Sequence, residues 1–328
     1  MNDTVSLFGR MRLGYLLVES ARIDAWQRFV AEGLGAHVDR LHDDALAVRI
    51  DAHARRLVVQ RGPREDVTAI GWHLDDEAAL QLASERLLRL GVTVREIADE
   101  RAALRGVGRY HAFTGPKQLT HELFLQPQLA AEPLRMHASG FLTGAGGMGH
   151  VAVSTRCPEQ MHAFWQQVFD ARLSDRIEDR LDGIELDLAF LRFNERHHTL
   201  ATAATRGLRM NPFRTQIHHL NFEAASLDDV TEAYRRCRTL GYAMANGIGQ
   251  HPNDREVSFY VVSPSGFEIE LGWKPLRVDE SSWMPAVHQG ISLWGHGPEN
   301  LSARLRLGRG LRALRSLTQR EYTAGDAS

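Results

Sequence analysis

Two histidine pairs stand close together in this chain, His197–His198 in NERHHTLATA (194–203) and His218–His219 in IHHLNFEA (217–224). Each pair opens an alternating apolar run, so each belongs at the start of a strand. Imidazole binds divalent transition metals and moves protons near neutral pH. The pairs therefore suggest a metal site with further histidines working beside it. A single strand histidine is most often structural, so the argument has to come from position.

An internal repeat supplies that position. Residues 14–38 (GYLLVESARIDAWQRFVAEGLGAHV) and 149–173 (GHVAVSTRCPEQMHAFWQQVFDARL) both read as an alternating strand, a polar cap and a helix. Residues 70–92 and 217–242 again run from strand to helix. In the later copy Ser226 is the expected N-cap, Val230, Ala233, Tyr234 and Cys237 share a face, and Gly241 stands just past the end. GPKQLTHELFL (115–125) parallels SPSGFEIELGW (263–273), with Pro116 over Pro264 and Glu122 over Glu270. The chain thus holds two halves of similar order, roughly 10–128 and 145–275. The link at 126–148 carries Pro127 and Pro133, ends rich in glycine and is the natural boundary. Alternating strands covered by helices on one face leave the other face of a sheet free to curl around a ligand.

The halves differ where chemistry would be done. The repeat sets His150 against Tyr15, His219 against Trp72, and Glu270 against Glu122. Two imidazoles and one carboxylate make the facial triad of non-haem Fe(II) sites, which leaves coordination positions open for substrate. Glu268 shares a face with Glu270 and is the rival carboxylate; Glu122 in the other half favours Glu270.

Composition excludes other classes. Hydrophobic residues make up 43% and charged residues 24% of 328, with a net charge of −2, so the chain shows no nucleic-acid footprint. Two cysteines, Cys157 and Cys237, make no disulfide framework and suggest a reducing compartment. Arg10 and Arg12 interrupt any signal-like stretch, and no apolar run approaches a membrane span. A cytoplasmic protein without membrane partners is expected.

The stretch GQHPNDREVSFYVVSPSGFEIELGW (249–273) spaces His251, Tyr260, Pro264, Gly266 and Glu270 in a specific pattern. It resembles the signature of type I extradiol ring-cleavage dioxygenases of the vicinal oxygen chelate superfamily. The likeness covers about residues 8–297 and includes SGFLTG, GMGH, NERHHTLA, IHH and SLWGH. It is similar above all to enzymes of bicyclic and polycyclic catechols. The resemblance implies an α+β chain of two vicinal oxygen chelate domains, each of paired βαβββ modules forming a curled sheet around a central cavity. Residues 1–130 are expected as a metal-free domain, 131–298 as the iron-binding catalytic domain, and 299–328 as a basic tail forming an amphipathic helix packed on the body or on a neighbouring subunit.

Carried over residue by residue, the resemblance implies His150, His219 and Glu270 as metal ligands and His198 as the acid–base histidine beside them. His197 and His218 would flank. His251, Asn253 and Tyr260 would lie near the substrate hydroxyls, with Asp254 anchoring them. The implied partners are a small catechol and O2, the implied cofactor is Fe(II), with Mn(II) served by the same ligands, and the implied assembly is a homo-oligomer. The segment 202–216 is longer than expected for biphenyl enzymes. A glyoxalase-like isomerase would add a fourth protein ligand, and a metal-dead binding protein would lack the intact triad. Ala152, two residues beyond His150, and Ala201 and Ala203 beyond His198 leave room next to a catechol ring, so a bulky substituent is expected there.

Overall fold

The computed structural model describes residues 6–181, 184–207 and 217–299, with a few positions between 307 and 318. The first sheet contains β1 (Met11–Glu19), β2 (His37–His42), β3 (Ala45–Arg49), β4 (Leu57–Gln60), β5 (Asp66–Leu74), β6 (Arg95–Ile97), β7 (Tyr110–Thr114) and β8 (Thr120–Phe124). The second contains β9 (Val151–Ser154), β10 (Arg172–Leu181), β11 (Ile184–Arg192), β12 (Leu200–Thr205), β13 (Ile217–Ala224), β14 (Met244–Gln250), β15 (Val257–Val262), β16 (Glu268–Trp273) and β17 (Ala286–Gln289). The helices are α1 (Ile23–Arg28), continued by a π-turn at Phe29–Leu34, α2 (Glu77–Arg89), α3 (Glu100–Leu104), α4 (Pro158–Phe169) and α5 (Leu227–Thr239).

Strand order shows the expected modules. The first sheet runs β2-β3-β4-β1-β5-β8-β7-β6, and the second runs β14-β15-β16-β13-β9-β12-β11-β10-β17. Within each module the first and last strands pair in parallel (β1 with β4, β5 with β8, β9 with β12, β13 with β16). The two modules of each sheet then join antiparallel, β1 to β5 and β9 to β13. The fold is α+β with two curled βαβββ-pair sheets.

Local chemistry sets the helix ends as the sequence suggests. Ser226 Oγ accepts from the Asp229 amide, Gly241 takes φ +80°, and Val230, Ala233 and Cys237 are buried. Helices from both halves share one core between the sheets. Trp26 of α1 packs on Phe267 and donates through Nε1 to Ser265 Oγ at 2.9 Å, while Trp72 of β5 packs on Trp165 of α4. No helix among the described residues is long and apolar enough to cross a membrane. Much of the expected tail helix lies outside the described residues; Leu307, Leu311, Leu314 and Leu317 are exposed.

Candidate active site

Three neighbouring strands of the second sheet, β16, β13 and β9, bring His150, His219 and Glu270 together. His150 directly precedes β9, His219 lies in β13 and Glu270 in β16. The approach of β13 to β9 is so close that a Cβ on Gly149 would meet the Asn221 carbonyl oxygen at 2.0 Å, so only glycine fits before His150. His150 Nε2 is 3.1 Å from His219 Nε2 and 3.1 Å from Glu270 Oε2, and His219 Nε2 is 3.4 Å from the same oxygen. Bonds of about 2.1 Å to one ion put cis donors about 3.0 Å apart, so this donor set fits a divalent transition metal.

The electrostatics agree. Burial pushes the His219 imidazolium well below its ordinary range, which leaves a neutral ligand. Burial alone would raise the Glu270 carboxyl, but hydrogen bonds from His150 and His251 outweigh it and hold the group well below the usual carboxylate range. Neutral imidazole and ionised carboxylate are the forms that ligate. Glu268, the rival, is paired in register with His219, but its carboxylate is 4.0 Å from His218 and outside the three-donor group.

NERHH folds as an anchored loop between β11 and β12. Asn194 Oδ1 caps the Arg196 amide at 2.9 Å, and its Nδ2 donates to the Met11 carbonyl. Arg196 is buried and donates to Glu223 Oε2 at 2.8 Å and to the carbonyls of Gly146 and Gly147. The loop is thereby tied to β13 and to the glycine-rich end of the link, and it lays the His198 ring 3.9 Å from the ring of His150. Burial pushes His198 well below the ordinary imidazole range, and His150 adds to the effect.

Comparison with known proteins agrees with this geometry. Residues 147–271 match the Glyoxalase/Bleomycin resistance protein/Dioxygenase superfamily, and residues 13–62 match Dihydroxybiphenyl dioxygenase BphC D1. The chain is 35% identical to a biphenyl-2,3-diol 1,2-dioxygenase of Metapseudomonas furukawaii, over 87% of this chain and 92% of that one. It is 32% identical to an iron-dependent extradiol dioxygenase of Rhodococcus jostii, over 87% and 96%. The solved structure of 2,2',3-trihydroxybiphenyl 1,2-dioxygenase from Sphingomonas wittichii superimposes with a TM-score of 0.77 at 31% identity, covering 88% of this chain and all of the other.

The chain belongs to the extradiol dioxygenase family. In this extradiol dioxygenase His251 Nε2 is 2.8 Å from the Tyr260 hydroxyl and 3.3 Å from Glu270 Oε1, and the ring is held from behind by the Ile291 carbonyl at 2.8 Å from Nδ1. Burial works against the imidazolium, but the Glu270 hydrogen bond and charge prevail and raise His251 to about 9. Burial and then the Glu270 charge raise the Tyr260 phenol, so it stays protonated and can donate. Asp254 accepts the Glu256 amide at 3.0 Å and places Oδ2 3.8 Å from His198 Nδ1. Asn253 is buried, and among the described residues neither side-chain atom has a hydrogen-bond partner. Ala152 pairs across β12 with Ala201 and packs with Ile177 and Phe190; Ala203 lies one step further along the strand, paired with Leu188 and Ser154.

Several site neighbours of this dioxygenase carry little sequence signal. Ser258 Oγ donates to Glu270 Oε1 at 2.7 Å, and only the period-2 relation to Tyr260 points to it. His296 packs its ring 4.3 Å from that of His251; burial lowers it to about 4. It belongs to the SLWGH stretch, which folds back over the site. His197, expected to flank, is fully buried with both ring nitrogens engaged.

The N-terminal half needs one correction. Glu122 pairs in register with Gly71 and Tyr15 pairs with Gly71, whereas Glu270 pairs with Asn221. Counting from these partners puts Ala69, paired with Thr120, at the place of His219 paired with Glu268. Trp72 corresponds to Phe222 and serves the core. Tyr15 keeps its assigned place opposite His150 and donates to Glu122 Oε2 at 2.5 Å.

Proposed function

We propose that this extradiol dioxygenase opens a catechol carrying a bulky, bicyclic-type substituent next to the diol, cutting beside the hydroxyls and incorporating both atoms of O2. The observation that carries the reading is the buried triad of His150, His219 and Glu270, three donors spaced for one ion and, among the described residues, without a fourth in the group. A glyoxalase-like site would be expected to supply that fourth ligand. Two relatives named for biphenyl-type diols, and another named as an iron-dependent extradiol dioxygenase, support Fe(II) and a bicyclic substrate.

Fe(II) held there would offer open positions to diol and dioxygen and supply the electron that lets triplet oxygen meet a closed-shell ring. Two neutral imidazoles and one carboxylate leave a divalent ion one positive charge, which a catechol monoanion matches. Tyr260 and His251 hold a substrate oxygen by hydrogen bonds and favour that monoanion. Asn253, with its buried amide unpartnered, offers a further donor and acceptor toward the substrate, and Asp254 fixes the turn that presents it. His198 gives and takes the proton needed as the O–O bond breaks. Ala152, Ala201 and Phe190 wall the space for the substituent, with Ala203 extending it.

We assign the metal-free role to residues 1–130, catalysis to 131–298 and a separate tail to 299–328. The protein acts as a homo-oligomer in the cytoplasm, a setting that suits the buried thiol of Cys237. The test is anaerobic purification with iron followed by a catechol panel. Yellow ring-fission product from 2,3-dihydroxybiphenyl supports the reading; an iron-loaded protein that consumes no O2 with any catechol overturns it.

A further inference from the structure

We propose that Asp175 and His197 are positioning residues that fix which nitrogen of His198 carries its proton. The inference rests on the assignment of His198 as the acid–base group. Asp175 sits in β10 just after a register shift between Leu173 and Asp175, and such irregularities re-aim a side chain. It is buried and uses both carboxylate oxygens. Oδ1 accepts the Ala286 amide at 2.7 Å, and Oδ2 accepts from His197 Nε2 at 2.9 Å. His288 Nε2 stands 3.4 Å from the same Oδ2. His197 is fully buried, with its ring against Trp283 and its Nδ1 3.1 Å from His198 Nδ1.

Two facing imidazole nitrogens require one donor and one acceptor. With Nε2–H committed to Asp175, neutral His197 has only a lone pair at Nδ1. His198 Nδ1 must then carry the proton, and Asp254 Oδ2, 3.8 Å from that nitrogen, favours the same choice. Nε2 of His198 is left as the free base. Adjacent His218 and His219 repeat the contact, Nδ1 to Nδ1 at 2.8 Å. There metal ligation through His219 Nε2 would place the proton on Nδ1 in the same way. The two pairs thus share one contact geometry, with the tautomer of His198 set by His197 and that of His219 set by ligation.

Asp175→Asn tests the relay sharply. The asparagine oxygen must face the Ala286 amide, which turns an N–H toward His197 Nε2. His197 then protonates at Nδ1, and His198 is driven to carry its proton at Nε2. The readout is long-range 1H–15N correlation on histidine-labelled, metal-free full-length protein, beside steady-state kinetics of the iron-loaded enzyme. The wild type should show His198 protonated at Nδ1 and His197 at Nε2. Asp175→Asn should exchange the two and lower kcat by roughly 10²-fold with KM little changed. His197→Gln, whose carbonyl can accept from His198, should keep about tenfold more kcat than His197→Phe. A wild-type His198 protonated at Nε2 in an enzyme that cleaves catechols overturns the relay and leaves the ring-cleavage reading standing. Equal kcat for the Gln and Phe variants also overturns the relay. Failure of the wild type to cleave any catechol overturns both.

Discussion

Arg105 grips Glu122 with two hydrogen bonds, Nε to Oε2 at 2.5 Å and Nη2 to Oε1 at 2.6 Å, in the N-terminal half of the chain. Glu122 is the repeat partner of Glu270. One half therefore balances its buried carboxylate with a guanidinium, and the other surrounds it with the imidazoles of His150, His219 and His251. Arg105→Met should strand Glu122 and cost about 3–5 kcal/mol in denaturant unfolding, while Arg105→Met with Glu122→Leu should recover most of the loss. Iron content should stay at one per chain in both. A fully stable single variant would contradict the account.

His198→Ala should keep its iron and slow turnover by about 10²–10⁴-fold, the usual range for a general acid–base group. Metal analysis and single-turnover kinetics check this together. Loss of iron in step with activity would place His198 among the ligands instead.

Ala152 packs with Ile177, Phe190 and Ala201, and the Phe190 ring lies 4.8 Å from that of His198. Each ring carbon seated there contributes on the order of 0.8 kcal/mol, so a second ring should raise kcat/KM by roughly two or more decades over bare catechol. Ala152→Phe should penalise 2,3-dihydroxybiphenyl selectively and spare catechol. Equal turnover of both diols by the wild type would refute the pocket assignment.

Acid should destabilise the fold through buried neutral histidines. Burial lowers His121 from 6.5 to about 3 and His53, His73 and His162 to about 4. Below 6.5 the unfolded chain binds protons that the folded chain refuses. The stability is therefore complete above pH 6.5 and is lost as pH falls toward the folded values. Tm of the metal-free chain should drop between pH 7 and pH 4.5, and His121→Phe should show a shallower drop. An unchanged slope in that variant would argue against the burial of a neutral His121.

Much of this was legible in the sequence because it is local or periodic. The βαβββ order, the Ser226 cap and the contrast of His150 with Tyr15 all follow from alternation and turn chemistry. Trp72 was misplaced for a physical reason. IGWHL and IHHLN align by eye as apolar runs, but only ladder register reveals a slip of three, and the residue truly equivalent to His219, Ala69, has no chemical signature. Asp175 and Ser258 meet His197 and Glu270 through long-range pairing of β10 and β15, which spacing along the chain does not encode.

The central claim is that one ion held by His150, His219 and Glu270 directs both oxygen atoms into a ring cut beside the diol. Turnover of 2,3-dihydroxybiphenyl under 18O2 by the iron-loaded chain, with His219→Ala as control, tests it directly by product mass. The account predicts a yellow extradiol product carrying two 18O atoms from a protein with one iron, and neither iron nor product from His219→Ala. An intradiol diacid, or full iron and activity in His219→Ala, would contradict it.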